Sequence, residues 1–223
     1  MRAGEPVAAD RRRADESLAG ARRLDAGRAA QALRPLAAPT PGVLGCQDTY
    51  FVGTLKGIGR IYAQNFIDAD SAVAFSKLYL SKLPMTAVDL LHDRVLPFYD
   101  AQGVALERVL TDNGREERGR PLHHPFERYC TVQQIAHRTT KVGSPETNGM
   151  VERFHRTLKD EFFSLACRRK VYESVEAPQA DLDGFVAFYN TERAHHGYRT
   201  EGRTPIQTFT DHLARPKVAP SAA

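Results

Sequence analysis

The chain is poor in cysteine, has no apolar run long enough to span a bilayer, and carries almost no net charge outside its N-terminal segment. Cys46, Cys130 and Cys167 are odd in number and widely spaced. They make neither a disulfide framework nor a zinc knuckle, so a reducing cytoplasm is the expected setting. The N-terminus lacks the apolar core of a secretory signal, which argues against export, and nothing suggests a membrane partner. Gly53, Gly57 and Gly59 are not followed by a Gly-Lys-Ser/Thr run, so they read as a loop between strands and not as a phosphate cradle. His123 and His124 have no Cys or His at metal-ligand spacing, and Ser144 has no His/Asp pair that sequence can place beside it. No internal repeat is visible.

What remains is a soluble globular composition, 42% hydrophobic and 26% charged over 223 residues, enough for one substantial domain and an appendage. A pI of about 9.0 points towards nucleic acid, but the charge is unevenly placed. Residues 1–42 hold eight arginines against five acids, a net of +3, which leaves +1 of the total +4 for residues 43–223. Net charge therefore permits DNA binding without arguing strongly for it. Residues 1–42 are rich in Ala and Arg and end in "LAAPTPG", which reads as a poorly ordered segment and linker. Residues 43–210 form the expected domain and residues 211–223 a tail.

From Val43 the texture changes. "VLGCQDTYFV", "RIYAQNFID" and "AVAFSKLYL" are β-prone and joined by short turns, which predicts an antiparallel meander. "MTAVDLLHDRVLPFYDAQG" has Val88, Leu91, Val95 and Phe98 at helical spacing. "VALERVLTDNG" reads as a strand, "HPFERYCTVQQ" as a helix with Pro125 near its start, and "IAHRTT" as a further strand. His137 falls on strand surface or core edge. The order predicts an α/β fold, a mixed five-stranded sheet with helices packed on it.

Two acids fall at informative places. Asp48 lies inside the first strand, where an unpaired buried carboxylate is costly. Asp112 ends the fourth strand, where open sheets place reactive groups. Glu152 opens the helix after the fifth strand and can close the cluster. Three converging carboxylates suit hard divalent cations such as Mg²⁺. Asp68 and Asp70 are rivals, but they sit in a hairpin turn where Asp serves local hydrogen bonds.

The stretches "CQDTYFVGTLKGIGR", "LTDNGRE", "SPETNGMVERFHRTLKDEFF" and "YNTERAHHGYR" together resemble the catalytic core of DDE-class insertion-sequence transposases, relatives of retroviral integrases. The resemblance runs from about Val43 to about Thr210. It implies a ribonuclease H-like fold, a metal-binding triad at Asp48, Asp112 and Glu152, and Mg²⁺ or Mn²⁺, two ions when DNA is bound. Asp48 would bridge the ions, with Asp112 and Glu152 each completing one site. The implied partners are DNA, as element ends and target, and further copies of the chain, a dimer or higher on DNA. The implied setting is the cytoplasm at the nucleoid. The implied activity is strand cleavage followed by transfer of a 3′-hydroxyl to target DNA. A catalytically inactive DNA-binding remnant and a ribonuclease H-like nuclease are the competing readings.

On the helix after the loop, Met150, Val151, Phe154, Leu158, Phe162 and Leu165 make an apolar stripe. Glu152, His155, Arg156 and Lys159 share another face at i, i+3, i+4 and i+7. With Lys141 and Asn148 in the preceding loop, His155, Arg156 and Lys159 are the candidate DNA contacts. Phe185, Phe188 and Tyr189 read as core, and Arg193, His196, Tyr198 and Arg199 could meet DNA or a second subunit. The sequence departs from the family pattern in a long gap of 39 residues between Asp112 and Glu152, taken up by "REERGRPLHH". It departs also in Glu117 where relatives carry an aromatic, and in Ala194 and His196 within "AHHGYR". No helix-turn-helix is readable in residues 1–42, so the expectation is a shortened or decaying copy with its acids retained.

Overall fold

The computed structural model describes residues 40–112, 124–140, 149–170, 172–197 and 199–215. Five strands, β1 (Gly45–Leu55), β2 (Gly59–Asp68), β3 (Ala74–Tyr79), β4 (Arg108–Thr111) and β5 (Ala136–Thr139), form one sheet in the order β3-β2-β1-β4-β5. β1, β2 and β3 pair antiparallel, and β4 and β5 join in parallel. The meander, the mixed sheet and the flanking helices are as the sequence predicts. The first hairpin is longer than expected. Its strands run to Leu55 and restart at Gly59, with a bulge at Val52 after which Gly53 rejoins the ladder opposite Ile61.

The helices are α1 (Pro84–Leu90), α2 (Leu96–Ala101), α3 (Pro125–Val132), α4 (Gly149–Thr157), α5 (Ser164–Arg169), α6 (Glu176–Thr191) and α7 (Pro205–Leu213). α1 runs into α2 through a π turn, Leu91–Val95, placed just ahead of Pro97, whose ring and missing N–H disfavour a regular turn. α7 starts on a capping box in which Thr204 and Gln207 satisfy each other's backbone N–H. This helix carries the fold to Leu213 with His212 buried, so the body extends past the boundary expected at residue 210.

Each face of the sheet carries its own core. Cys46, Ile61, Ala63, Ile67 and Leu110 pack with Val151, Phe154 and Leu158 of the α4 segment and with Leu182 and Tyr189 of α6. On the other face Phe66 and Val109 pack with Leu90, Leu91, Val95, Tyr99, Phe126 and Phe209. Strand alternation sorts the side chains between the two. Gly45 is required here, because a Cβ would lie 2.0 Å from Cζ of Phe66, whose ring crosses β1 at that point.

The apolar stripe after Glu152 holds only as far as the helix stays regular. A second π turn, Leu158–Phe163, adds a residue to the turn, so Phe162 and Phe163 are both buried and Ala166 meets the core. Leu165 is thereby thrown outward and is 47% exposed. Phe188 is 43% exposed, so it too is not core, whereas Tyr189 is buried and Phe185 packs at the core edge. Arg193 is taken up by Glu161 at 2.6 Å, and Arg199 donates to the Ala69 carbonyl and to Asp70. Both arginines are thus engaged within the fold. Tyr198 lies outside the described residues.

Asp68 does more than close a turn. It is fully buried and accepts from five donors, the N–H groups of Gly42, Asp70 and Ser71 and the hydroxyls of Ser71 and Tyr99, at 2.7–3.1 Å. Burial pushes its carboxyl upward in pKa, and the donors pull the other way. The bond to Gly42 makes residue 42 part of the fold, with φ of +84° and no room for a Cβ beside Val104, although composition assigns it to the linker. Asp68→Ala would strand several buried donors and should cost roughly 3–5 kcal/mol. Asp68→Asn, which keeps the shape and one acceptor, should cost less. Urea unfolding midpoints check this ranking.

Candidate active site

Asp48 and Asp112 are brought together by the parallel ladder at the centre of the sheet. Gly45 pairs with Val109 and Cys46 with Leu110. Continued by two residues, this register sets Asp48 level with Asp112, on strands about 4.8 Å apart. Alternation then fixes the face. Cys46, Tyr50 and Leu110 all belong to the core beneath α4, so Asp48 and Asp112, each two residues from one of them, emerge on that same side. Asp112 follows directly on the last residue of β4 and is half-buried.

Glu152 stands in the first turn of α4, exposed, between the buried Val151 and Phe154 that anchor the helix on this face. The helix approaches β1 through His155, whose Nδ1 lies 3.9 Å from Asp48 Oδ2 and whose ring tilts against Tyr50 at 5.3 Å between centroids. Glu152 is one turn before His155. Asp48 itself also accepts from the N–H of Thr49 at 2.8 Å. Among the described residues no group of three or more His, Cys, Asp or Glu is close enough to hold a metal ion, so the three carboxylates are not gathered into a ready-made cage. The three candidate side chains nevertheless fit a hard divalent cation, since all offer carboxylate oxygens, two from strands of one sheet and one from a helix.

Of the candidate DNA contacts, Arg156 and Lys159 are exposed on α4 and on the turn after it. Lys141 and Asn148 lie outside the described residues. His155 differs from the sequence expectation of an outward cation. Its side chain is 12% exposed, and its Nε2 is buried with no hydrogen-bond partner among the described residues. Sequence spacing put His155 on the polar face, but that face at this turn is closed by Tyr50 from β1. Side chains missed by sequence reasoning are Glu127, His137 and Thr111, which bond in series behind β4. His137 takes the core-edge alternative, with its side chain enclosed at 3% exposure, and nothing in the local sequence marks the series it joins.

With this geometry in view, residues 133–205 match the family model described as integrase core domain. The chain is 29% identical over 163 residues to the putative integrase ORF3 of Spiroplasma virus SpV1-C74, covering 69% of this chain and 44% of that protein. Among solved structures, the catalytic core domain of BIV integrase superposes with a TM-score of 0.55 at 17% identity, over 76% of this chain and 95% of that one. The HTLV-2 integrase catalytic core domain in complex with magnesium gives 0.56 at 18%, over 79% and 99%. The fold is that of an integrase catalytic core. The chain spans less than half the length of the curated relatives it matches. The matched segment contains Glu152 and its helix, while Asp48 and Asp112 lie before it. No helix among the described residues is long and apolar enough to cross a membrane.

Burial pushes the His155 imidazole down to about 4, so it is neutral near pH 7. The unfolded chain, titrating near 6.5, binds the proton first as pH falls. Stability is therefore complete above about pH 6.5 and lost towards pH 4, by on the order of 3 kcal/mol. An NMR titration of the imidazole should give a midpoint well below 6, and His155→Gln should flatten that part of the pH–stability curve. A midpoint near 6.5 would contradict the buried placement.

Proposed function

We propose that this chain is the catalytic core of a DDE-type transposase or integrase, which cuts DNA strands and joins a 3′-hydroxyl to target DNA. The observation that carries this reading is the β1–β4 register, with Asp48 and Asp112 level with each other and facing the helix that bears Glu152. Asp48, Asp112 and Glu152 hold Mg²⁺ or Mn²⁺, and an HTLV-2 core of the same fold is described in complex with magnesium. Two such ions supply activation of the attacking oxygen and stabilisation of the leaving oxygen in an in-line phosphoryl transfer. The protein's own part is positional. β1 and β4 fix two carboxylates on a stiff sheet, α4 delivers the third, and the core beneath them keeps each backbone in place.

Arg156 and Lys159, projecting from the same helix, engage the DNA backbone, with Lys141 and Asn148 assisting from the loop before it. Their removal should weaken binding across sequences alike and reduce its salt slope by about one for each phosphate no longer neutralised. DNA ends are paired by at least two copies of the chain; HTLV-2 cores are described in dimeric and trimeric forms.

The test bypasses end recognition. A branched DNA presents a 3′-hydroxyl beside a phosphodiester, with Mn²⁺ and purified protein. The wild type should join the strands, and Glu152→Gln should lose about a thousandfold. No joining by a folded wild-type protein that still binds DNA would instead favour a non-catalytic remnant. Cutting of the substrate without any joining would favour a nuclease.

A further inference from the structure

Behind β4, on the face away from the Asp112 carboxylate, three polar side chains lie in series where apolar packing is the rule. Glu127 Oε1 of α3 sits 2.8 Å from His137 Nδ1 on β5, and His137 Nε2 sits 2.8 Å from the Thr111 hydroxyl. That hydroxyl donates to the carbonyl oxygen of Asp112 at 3.1 Å and so accepts from His137 Nε2–H, both ring nitrogens acting as donors along the series. The series is well enclosed. Thr111 is fully buried, and the His137 side chain is 3% exposed and set edge-on against Phe126 at 5.0 Å. The backbone closes the same joint, since the N–H of Thr140 donates to the Thr111 carbonyl at 2.9 Å.

Buried polar groups cost free energy unless all are satisfied, and valine would fill the space of Thr111 with the same β-branched shape. The hydroxyl is the part that shape does not require. Its position, between an imidazole oriented by a carboxylate and the peptide of Asp112, is that of an outer support to a ligand residue. On the reading that Asp112 is a metal ligand, we infer that Glu127, His137 and Thr111 form a positioning relay that fixes the Asp112 peptide at the end of β4 and so aims its carboxylate. The relay works through the backbone from the opposite face of the sheet and touches neither metal nor DNA.

The full chain and four variants decide this by direct Mn²⁺ binding, followed through the electron paramagnetic resonance of the free ion. Thr111→Val, nearly isosteric, should weaken binding by about tenfold, as loss of outer-shell support commonly does. Thr111→Ser restores the hydroxyl and should bind nearly as the wild type does. Glu127→Gln, half-way to the surface, should also weaken binding, and it decides the matter should Thr111→Val fail to fold. Asp112→Asn should lose the ion. Wild-type affinity in both Thr111→Val and Glu127→Gln, with binding lost in Asp112→Asn, would overturn the relay and leave Asp112 a ligand. Undiminished binding in Asp112→Asn would instead remove the reading on which the relay rests.

Discussion

The parallel pairing of β1 with β4 is the interaction on which the arrangement depends. It joins segments more than sixty positions apart, Gly45 with Val109 and Cys46 with Leu110, at the middle of the sheet. A slip of one residue would turn every β4 side chain to the wrong face. Asp112 would then face α3 while Asp48 faced α4. The register is held from both sides: Leu110 must reach the core under α4, and Val109 the core under α1 and α2. Hydrophobic patterning thus sets the relative height and face of two acids that contribute nothing to that patterning themselves.

Helix α4 and its continuation carry two duties on one cylinder. Val151, Phe154 and Leu158 anchor it on the sheet, and Glu152, Arg156 and Lys159 occupy what the anchor leaves free. His155 falls between the two sets, closed over by Tyr50, and is the point where the helix meets β1 next to Asp48. A second buried acid, Asp68, works in the opposite sense from the candidate ligands. Five donors saturate it, so it ties Gly42, the β2–β3 turn and Tyr99 together and has no capacity left for an ion.

Strands and helices are legible in the sequence because their periods are clean: β-branched and aromatic runs for β1 to β3, and the spacing of Val88, Leu91 and Val95 for the first helices. The candidate triad is legible from motif order together with the position of Asp112 at a strand end. Legibility fails where a local irregularity shifts the phase. The π turn at Leu158–Phe163 moves Leu165 outward, and no residue type announces such a turn. The burial of His155 depends on Tyr50, about a hundred residues earlier, and the Glu127–His137–Thr111 series joins three elements; helical and strand periods carry no information on either. Likewise, the composition of residues 1–42 hides the role of Gly42, which is set by Asp68 across the fold.

The central claim is that Asp48, Asp112 and Glu152 together form one divalent-metal site, the place where the catalytic ions bind beside DNA. Fe²⁺ substituted for Mg²⁺, with ascorbate and peroxide, generates hydroxyl radicals that cut the polypeptide beside the bound metal. Mapping the cuts on the DNA-bound protein tests convergence directly and independently of turnover. Cleavage confined to β1 near Asp48, the end of β4 near Asp112 and the start of α4 near Glu152, suppressed by excess Mg²⁺, is the predicted result. Cuts clustered elsewhere, or cuts at one of these places without the other two, would contradict the account.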